Sequence, residues 1–367
     1  MDFNIEVFRN PLAPLLLLAL SACSDSGSPP APDGPSSTLV NAFDVPLDGL
    51  SKEDVAKFND GDALFGLPFR PADGLGPLFI RTACASCHAE GARGPGLVQK
   101  MVVVEADGVT PTADQSALAF GHTVRQGMAA GATTPIAPPQ AGNVKVTVRI
   151  GPPVLGRGYV EAVDESELVR LEAEQTARAD AIHGKIGHAP YASVPNPESP
   201  FEMFQQGDVV TGRLGLKSRI ATIDDFTADA FQGDMGLTTP MRPIELATPD
   251  GLGDYRRAGV DLTQGHLDRI SFYLRRIAIP LRVGLTEQGA ALFAQTACAV
   301  CHVPSLRTRA SYPIAQLAGI DAPIYSDLLL HDMGAALADG MTDGGASATA
   351  WRTAPLIGLR FQSSYLH

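Results

Sequence analysis

The chain has 367 residues, 45% apolar and 19% charged, a globular composition with enough apolar residues for a sizeable core. Its length suggests two domains or three. Its 28 Lys and Arg against 40 Asp and Glu give a formal net charge of −12 with no basic stripe, which argues against a nucleic-acid partner; five cysteines are too few for a disulfide scaffold.

From the N-terminus, residues 12–22 form an apolar run too short to cross a ~30 Å bilayer core but suited to the apolar part of a signal peptide. Leu20-Ser21-Ala22-Cys23 resembles a bacterial lipobox, so residues 1–23 read as a signal peptide ending on a lipidated cysteine. A generic signal with an incidental cysteine is the alternative. Residues 24–37 carry no apolar side chain larger than Ala or Pro and read as a flexible tether. The expectation is a periplasmic protein that meets the membrane only through a lipid anchor.

Residues 82–88 read Thr-Ala-Cys-Ala-Ser-Cys-His, and residues 296–302 read Thr-Ala-Cys-Ala-Val-Cys-His. Each holds a C-x-x-C-H, the attachment motif of a c-type haem. Cysteines three apart share one face of a helical turn and can reach the two vinyl groups of a porphyrin. The adjoining histidine then supplies the proximal ligand. Cys84, Cys87 and His88 would hold one haem, and Cys298, Cys301 and His302 a second. A zinc ribbon places its pairs about 15–20 residues apart, whereas Cys87 and Cys298 are 211 apart. A redox dithiol does not require a histidine after each pair.

Between the motifs, Glu165 to Ile182 reads as a polar surface helix with Gly184 as its cap, and residues 188–200 as loop. Leu267, Ile270, Leu274 and Ile277 recur at helical spacing and stop before Pro280. The two halves also echo each other. Leu78-Phe79 and Leu292-Phe293 precede their motifs at the same spacing and would form short helices against the porphyrin edge. Downstream, Arg149-Ile-Gly-Pro-Pro-Val-Leu-Gly is loosely repeated by Arg352-Thr-Ala-Pro-Leu-Ile-Gly. Two copies of one unit are the simplest account. The expected fold is mainly α with long loops, in two cytochrome c-like haem domains: residues 38–280 with insertions, and residues 281–367.

The occupant of the sixth iron position separates an electron carrier from a site open to a small ligand. For the second haem, Met333 is the favoured candidate, with His331 as rival and simple packing as the alternative. For the first, Met235 leads, followed by His122 and an open site; Met101 and Met128 lie on the same side. His183, His188 and His266 read as solvated. Trp351, the only tryptophan, reads as a packed residue rather than an electron relay.

The strings GLGPLFIRTACASCHAEGARGP, GPPVLGRGYVEAV, GRLGLKS, DMGLT, LFAQTACAVCHVP, YSDLLLHDMGAALAD and WRTAPLIGL together resemble the bacterial di-haem oxidoreductases. These are sometimes labelled thiol oxidoreductases and are related to di-haem cytochrome c peroxidases. The resemblance covers residues 47–367. It implies two covalently attached haem c groups, with His88 and His302 as proximal ligands, and a peroxidase-like role. Tyr365-Leu366-His367 matches the start of a family string that continues with Asp-Gly-Arg, so the chain reads as truncated and its second domain as incomplete. The four paired thiols would be consumed by thioethers, which removes support for thiol chemistry.

The leading functional reading is a di-haem oxidoreductase that takes electrons from a small donor protein or quinol-linked cytochrome at one haem and reduces a small oxidant such as hydrogen peroxide at the other. A purely electron-transferring di-haem cytochrome is the alternative, and a zinc-binding structural lipoprotein a third.

Overall fold

The computed structural model describes residues 45–89, 97–129, 131–140, 142–201, 204–251, 259–280, 282 and 287–359. The signal and tether with Cys23, and the string Tyr365-Leu366-His367, lie outside them.

The described residues contain six α-helices: α1 (Lys52–Gly66), α2 (Arg157–Ala162), α3 (Glu165–Thr176), α4 (Ile223–Met235), α5 (Gln264–Arg276) and α6 (Glu287–Gln295). They also contain eleven short strands: β1 (Leu78–Phe79), β2 (Leu97–Val103), β3 (Gly127–Met128), β4 (Val144–Ile150), β5 (Gly184–Lys185), β6 (His188–Pro190), β7 (Val209–Thr211), β8 (Leu306–Arg307), β9 (Asp321–Ala322), β10 (Leu330–Asp332) and β11 (Ala350–Arg352). The expectation of a mainly α fold with two cytochrome c-like domains is therefore wrong. Several small antiparallel sheets carry much of the chain, and they cross between the expected halves. β5 pairs with β10, which pairs with β11, so one sheet joins residues on both sides of the second motif.

The longest strand pairing escaped the sequence reading. Val-Lys-Val-Thr-Val-Arg-Ile over 144–150 alternates apolar and polar residues, but Val146 and Val148 are exposed while Arg149 is buried, so its apolar face is not its buried one. β4 pairs with β2 along its whole length, from Leu97 opposite Ile150 to Val103 opposite Val144.

The core gathers α1, α2, α4 and α5. In α5, Leu267, Ile270 and Tyr273 are buried and Ile277 caps the helix, so the helical spacing identified this element. Tyr273 meets Phe58 and Phe65 of α1 at centroid distances of 4.9 and 5.4 Å. Gly61 permits this approach, because a Cβ there would lie 2.4 Å from the Arg269 carbonyl oxygen. A Cβ at Gly158 in α2 would lie 2.0 Å from the carbonyl oxygen of Arg275 in α5, so only glycine fits that crossing. Beneath it, Arg275 is buried between Glu161 and Asp224, and the Tyr312 hydroxyl donates to Glu161 at 2.5 Å.

Helix α3 ends at Thr176 rather than Ile182. The Asp180 carboxylate accepts from the Ile182 N–H, a local turn that competes with continued helix, and Gly184 enters β5. His188–Pro190 is a strand rather than loop, paired with β7.

Candidate functional site

Each C-x-x-C-H folds as a single tight turn. Cys84–Ser86 and Cys298–Val300 are 3₁₀ segments, and the histidine N–H reaches back to the first cysteine carbonyl, at 3.0 Å for His88 and 2.9 Å for His302. Both cysteines of each motif therefore lie on one turn beside their histidine, and all four thiols are free.

The approaches to the two turns differ. Leu78 and Phe79 form strand β1, paired with Gly127 and Met128, whereas Leu292 and Phe293 lie on α6. The expectation of equivalent short helices fails at the first motif. Phe79 lies against Gly127, where a Cβ would sit 2.4 Å from its ring, and this close pairing makes the segment extended. The carbonyls of Asp234 and Met235, at the end of α4, accept from Ile80 and Gly76 and brace the same segment.

At the first turn His88 is half-buried, with its Nδ1 enclosed, against residues 151–152 of the first downstream string. A Cβ on Gly151 would lie 3.2 Å from His88 Cε1, so glycine leaves the ring its space. The Phe65 ring is 6.3 Å away between centroids. Burial pushes the His88 imidazole down to about 4, against the pull of the Pro152 carbonyl and helped by Arg157. At neutral pH the ring is thus neutral, the form that binds a metal ion. Burial, with Asp234 and Cys87 adding, pushes the Cys84 thiol up to about 12; burial likewise raises Cys87. Both thiols stay protonated, the opposite of a reactive dithiol.

At the second turn, His302 Nδ1 donates to the Tyr325 carbonyl at 3.0 Å. This bond fixes the tautomer and leaves the Nε2 lone pair free for a metal. Tyr325 adopts a positive φ of 50°. Its ring is held by Phe293, edge-on at 5.6 Å, and by the Arg282 guanidinium at 4.2 Å. The following residues run along the motif: Ser326 donates to the Val303 carbonyl and Asp327 to that of Cys301. Paired thiols and a histidine on one turn are the donor set that a covalently held haem needs, and both motifs fit it.

The remaining candidates are dispersed. Met235 is 4% exposed and packs in the main core, which Cys84 also lines; Met333 is 44% exposed just after β10. The two Asp-Met-Gly strings thus have unrelated structures. Gly236 closes α4 in a left-handed cap, whereas Asp332 accepts from the Gly334 N–H in a turn. Exposed His122 bonds through Nδ1 to the Met101 carbonyl; Met101 is buried beneath the β2–β4 sheet and Met128 is exposed. His183 and His188 are exposed; His266 caps α5 through Thr263.

His331 is buried beside the second motif. Its Nε2 meets Asp327 at 2.9 Å and its Nδ1 lies 4.0 Å from the Cys301 sulfur. Burial opposes its charged form, but the bonds to Asp327 and Cys301 outweigh burial and raise it to about 9. Gln175 of α3 completes the group, donating to Asp327 at 2.8 Å. Cys301, Asp327 and His331 are the only metal-capable trio among the described residues, and Cys84, Cys87 and His88 gather no such partners. Asp327, Gln175 and Tyr325 escaped the sequence reading. The one signal was Asp327 and His331, four apart around an apolar Leu-Leu-Leu run.

Trp351 is buried. Its Nε1 donates to the Leu337 carbonyl at 2.9 Å, and Lys217 Nζ lies 4.2 Å over its ring. Lys217 also donates to the carbonyls of Ser347, Ala348 and Ala350 and pairs with Asp339, which in turn pairs with Arg149.

The two downstream strings meet. Gly156 of the first abuts Ile357 of the second, where a Cβ would lie 2.9 Å from Ile357 Cδ1. The first string touches His88. The second reaches the Tyr325 segment, since Leu356 donates to Ile324 and the Thr353 carbonyl accepts from Ser326.

Residues 140–364 match a family model whose description reads "Di-haem oxidoreductase, putative peroxidase". Neither the curated proteins nor the solved structures contain a significant match.

Proposed function

Because the chain belongs to the di-haem oxidoreductase family, we propose that it carries two covalently attached c-type haems and reduces a small oxidant such as hydrogen peroxide with electrons from a donor protein. The observation that carries this reading is the pair of C-x-x-C-H turns, each placing two thiols and a histidine on one turn. When bound, the haems supply the redox-active iron.

The chain's own residues position and tune that iron. Cys84 and Cys87, and Cys298 and Cys301, would give up their thiol protons in forming thioethers. His88 and His302 would be the proximal ligands. The Tyr325 carbonyl would make His302 a stronger donor by accepting a hydrogen bond from its Nδ1–H. Met235 and Met333 are our candidates for sixth-position ligands. The reaction balances as one hydrogen peroxide, two electrons and two protons giving two waters. The charged His331, held by Asp327 beside Cys301, is placed to hold a proton near the second motif.

Location follows from the N-terminal reading: we propose a periplasmic protein anchored by lipid at Cys23, with a small electron-donor protein or quinol-linked cytochrome as donor.

The test is expression with the cytochrome c maturation machinery, followed by mass spectrometry, spin-resonance spectra at half reduction and a peroxide assay. Two haems per chain, a high-spin iron and peroxide-dependent oxidation of a reduced donor are expected. Two low-spin irons throughout would replace the peroxidase reading with electron transfer alone; a haem-free chain would remove both.

A further inference from the structure

Two buried arginines without an ion pair lie on the strings that touch the two motifs. Buried Arg275 and Arg149 pair with carboxylates, whereas Arg125, Arg157, Arg213 and Arg352 are buried with no such partner among the described residues. Arg157 and Arg352, 7% and 3% exposed, pair with none among the described residues. Arg157 uses Nε on the Pro153 carbonyl at 2.6 Å. Arg352 uses Nε on the Gly215 carbonyl at 2.8 Å and Nη1 on the Thr353 carbonyl at 3.0 Å. A guanidinium carries five N–H donors, so both retain free donors toward the described residues.

Arg352 lies close enough to Arg157 for its charge to act there. Burial lowers Arg157 to about 9, with the Arg352 charge adding. Burial lowers Arg352 to about 10, eased only by Asp327. Asp327 is already occupied: one oxygen accepts from Gln175 and His331 and the other from the Leu329 N–H. Two neighbouring buried cations without an ion pair are costly, and an anion bound between or beside them would lower that cost.

Their placement identifies the anion. Arg157 opens α2, at the end of the string whose Gly151 abuts His88, and its charge is felt at His88. Arg352 ends β11, at the start of the string that reaches the Tyr325 segment, and faces Asp327 beside Cys301. The two cations therefore lie where the surroundings of the two haem motifs meet.

We propose that Arg157 and Arg352 form a cationic floor that binds the propionate carboxylates of the two haems, Arg157 serving the haem of His88 and Arg352 that of His302. This rests on the di-haem reading above. Guanidinium forks bind carboxylates in bidentate geometry, and both forks are fixed in advance by main-chain carbonyls.

The test uses the haem-loaded protein and the variants Arg157→Met, Arg352→Met and Arg157→Lys. Resonance Raman propionate-bending bands and potentiometric titration are the readouts. Each Met variant should shift the band and lower the potential of its own haem, because a nearby cation favours the reduced iron. A tenfold loss in the reduction equilibrium would read as about 59 mV for one electron. Arg157→Lys keeps the charge and loses the fork, so the band should move while the potential stays. It also answers the question if Arg157→Met fails to accumulate. Two haems bound with bands and potentials unchanged in every variant would overturn the proposal and leave the di-haem reading standing. Potentials of the unsubstituted protein that respond specifically to added phosphate or chloride would overturn it in favour of a free anion. A chain without haem would remove the underlying reading itself.

Discussion

The Nδ1 of His302 lies 3.0 Å from the main-chain oxygen of Tyr325, and the Tyr325 ring, clasped between Phe293 and Arg282, holds that oxygen in place. The left-handed backbone at Tyr325 is maintained by side-chain packing rather than by local preference. Tyr325→Ala keeps the carbonyl but releases the clasp. We expect it to cost roughly 2 kcal/mol in urea unfolding, from the lost aromatic and cation–π contacts. In the loaded protein it should raise the potential of the second haem only, since a weakened bond makes His302 a poorer donor to ferric iron. An unchanged potential would show that the carbonyl does not depend on the ring.

Gly158→Ala should be among the most damaging single-methyl additions. Its Cβ would meet the Arg275 carbonyl at 2.0 Å, and backbone on both sides leaves nothing soft to yield. The expected loss is about 3 kcal/mol or more, read as a lower urea midpoint. Gly233→Ala, with open space around its Cβ on a half-buried part of α4, should change the midpoint little and is the control.

Trp351 is expected to pack rather than relay electrons. A Lys217 ammonium 4.2 Å over the ring disfavours a tryptophan radical cation. Trp351→Phe removes the Nε1 bond to Leu337 and should cost about 1 kcal/mol. Electron transfer between the haems, followed by rapid-mixing spectroscopy, should stay within about twofold of the parent rate. A tenfold loss, corresponding to about 1.4 kcal/mol in the barrier, would assign the ring a place on the electron path.

Acid should act through the Arg275 cluster. Burial pushes Asp224 up, but the Arg275 charge and its hydrogen bonds outweigh burial and hold the carboxyl below its ordinary 3.8. A depressed folded value means that this stabilisation is present above 3.8 and is lost as pH falls through the lower folded value. Asp224→Asn should therefore cost about 3 kcal/mol at neutral pH, with the difference from the parent shrinking in acid. Parallel stability curves for the two proteins across that range would contradict this assignment.

Axial ligation by sulfur is testable at Met235 and Met333 separately. If each serves its haem, Met333→Ala and Met235→Ala should each remove part of the weak long-wavelength Met–haem absorption. Met333, 44% exposed, should cost little stability, under about 1 kcal/mol, whereas buried Met235→Ala should cost about 3 kcal/mol. An unchanged band in either variant rules that methionine out.

The motif turns were written locally, and so the sequence alone determined them. C-x-x-C-H is five consecutive residues on one turn, and the α5 stripe is likewise a pattern within a single segment. Both near-identical motif blocks form the same turn for that reason, while the segments leading into them diverge. Leu78-Phe79 and Leu292-Phe293 are the same dipeptide, yet one is a strand and the other a helix turn. The difference comes from a distant partner, Gly127, which takes the Phe79 ring at a range no other residue allows. The same holds for Asp-Met-Gly, which ends a helix at residue 236 and makes a surface turn at residue 334. Tertiary structure alone decided what surrounds each histidine: Gly151 and Pro152 at His88, and Tyr325 with Asp327, His331 and Gln175 at the second motif. Those contacts join residues far apart in the chain, and no short-range pattern encodes them. The mixed α and β architecture was hidden for a related reason. Strands of two or three residues are too short to show a period, and they form only because pairing partners elsewhere in the chain satisfy their backbone groups.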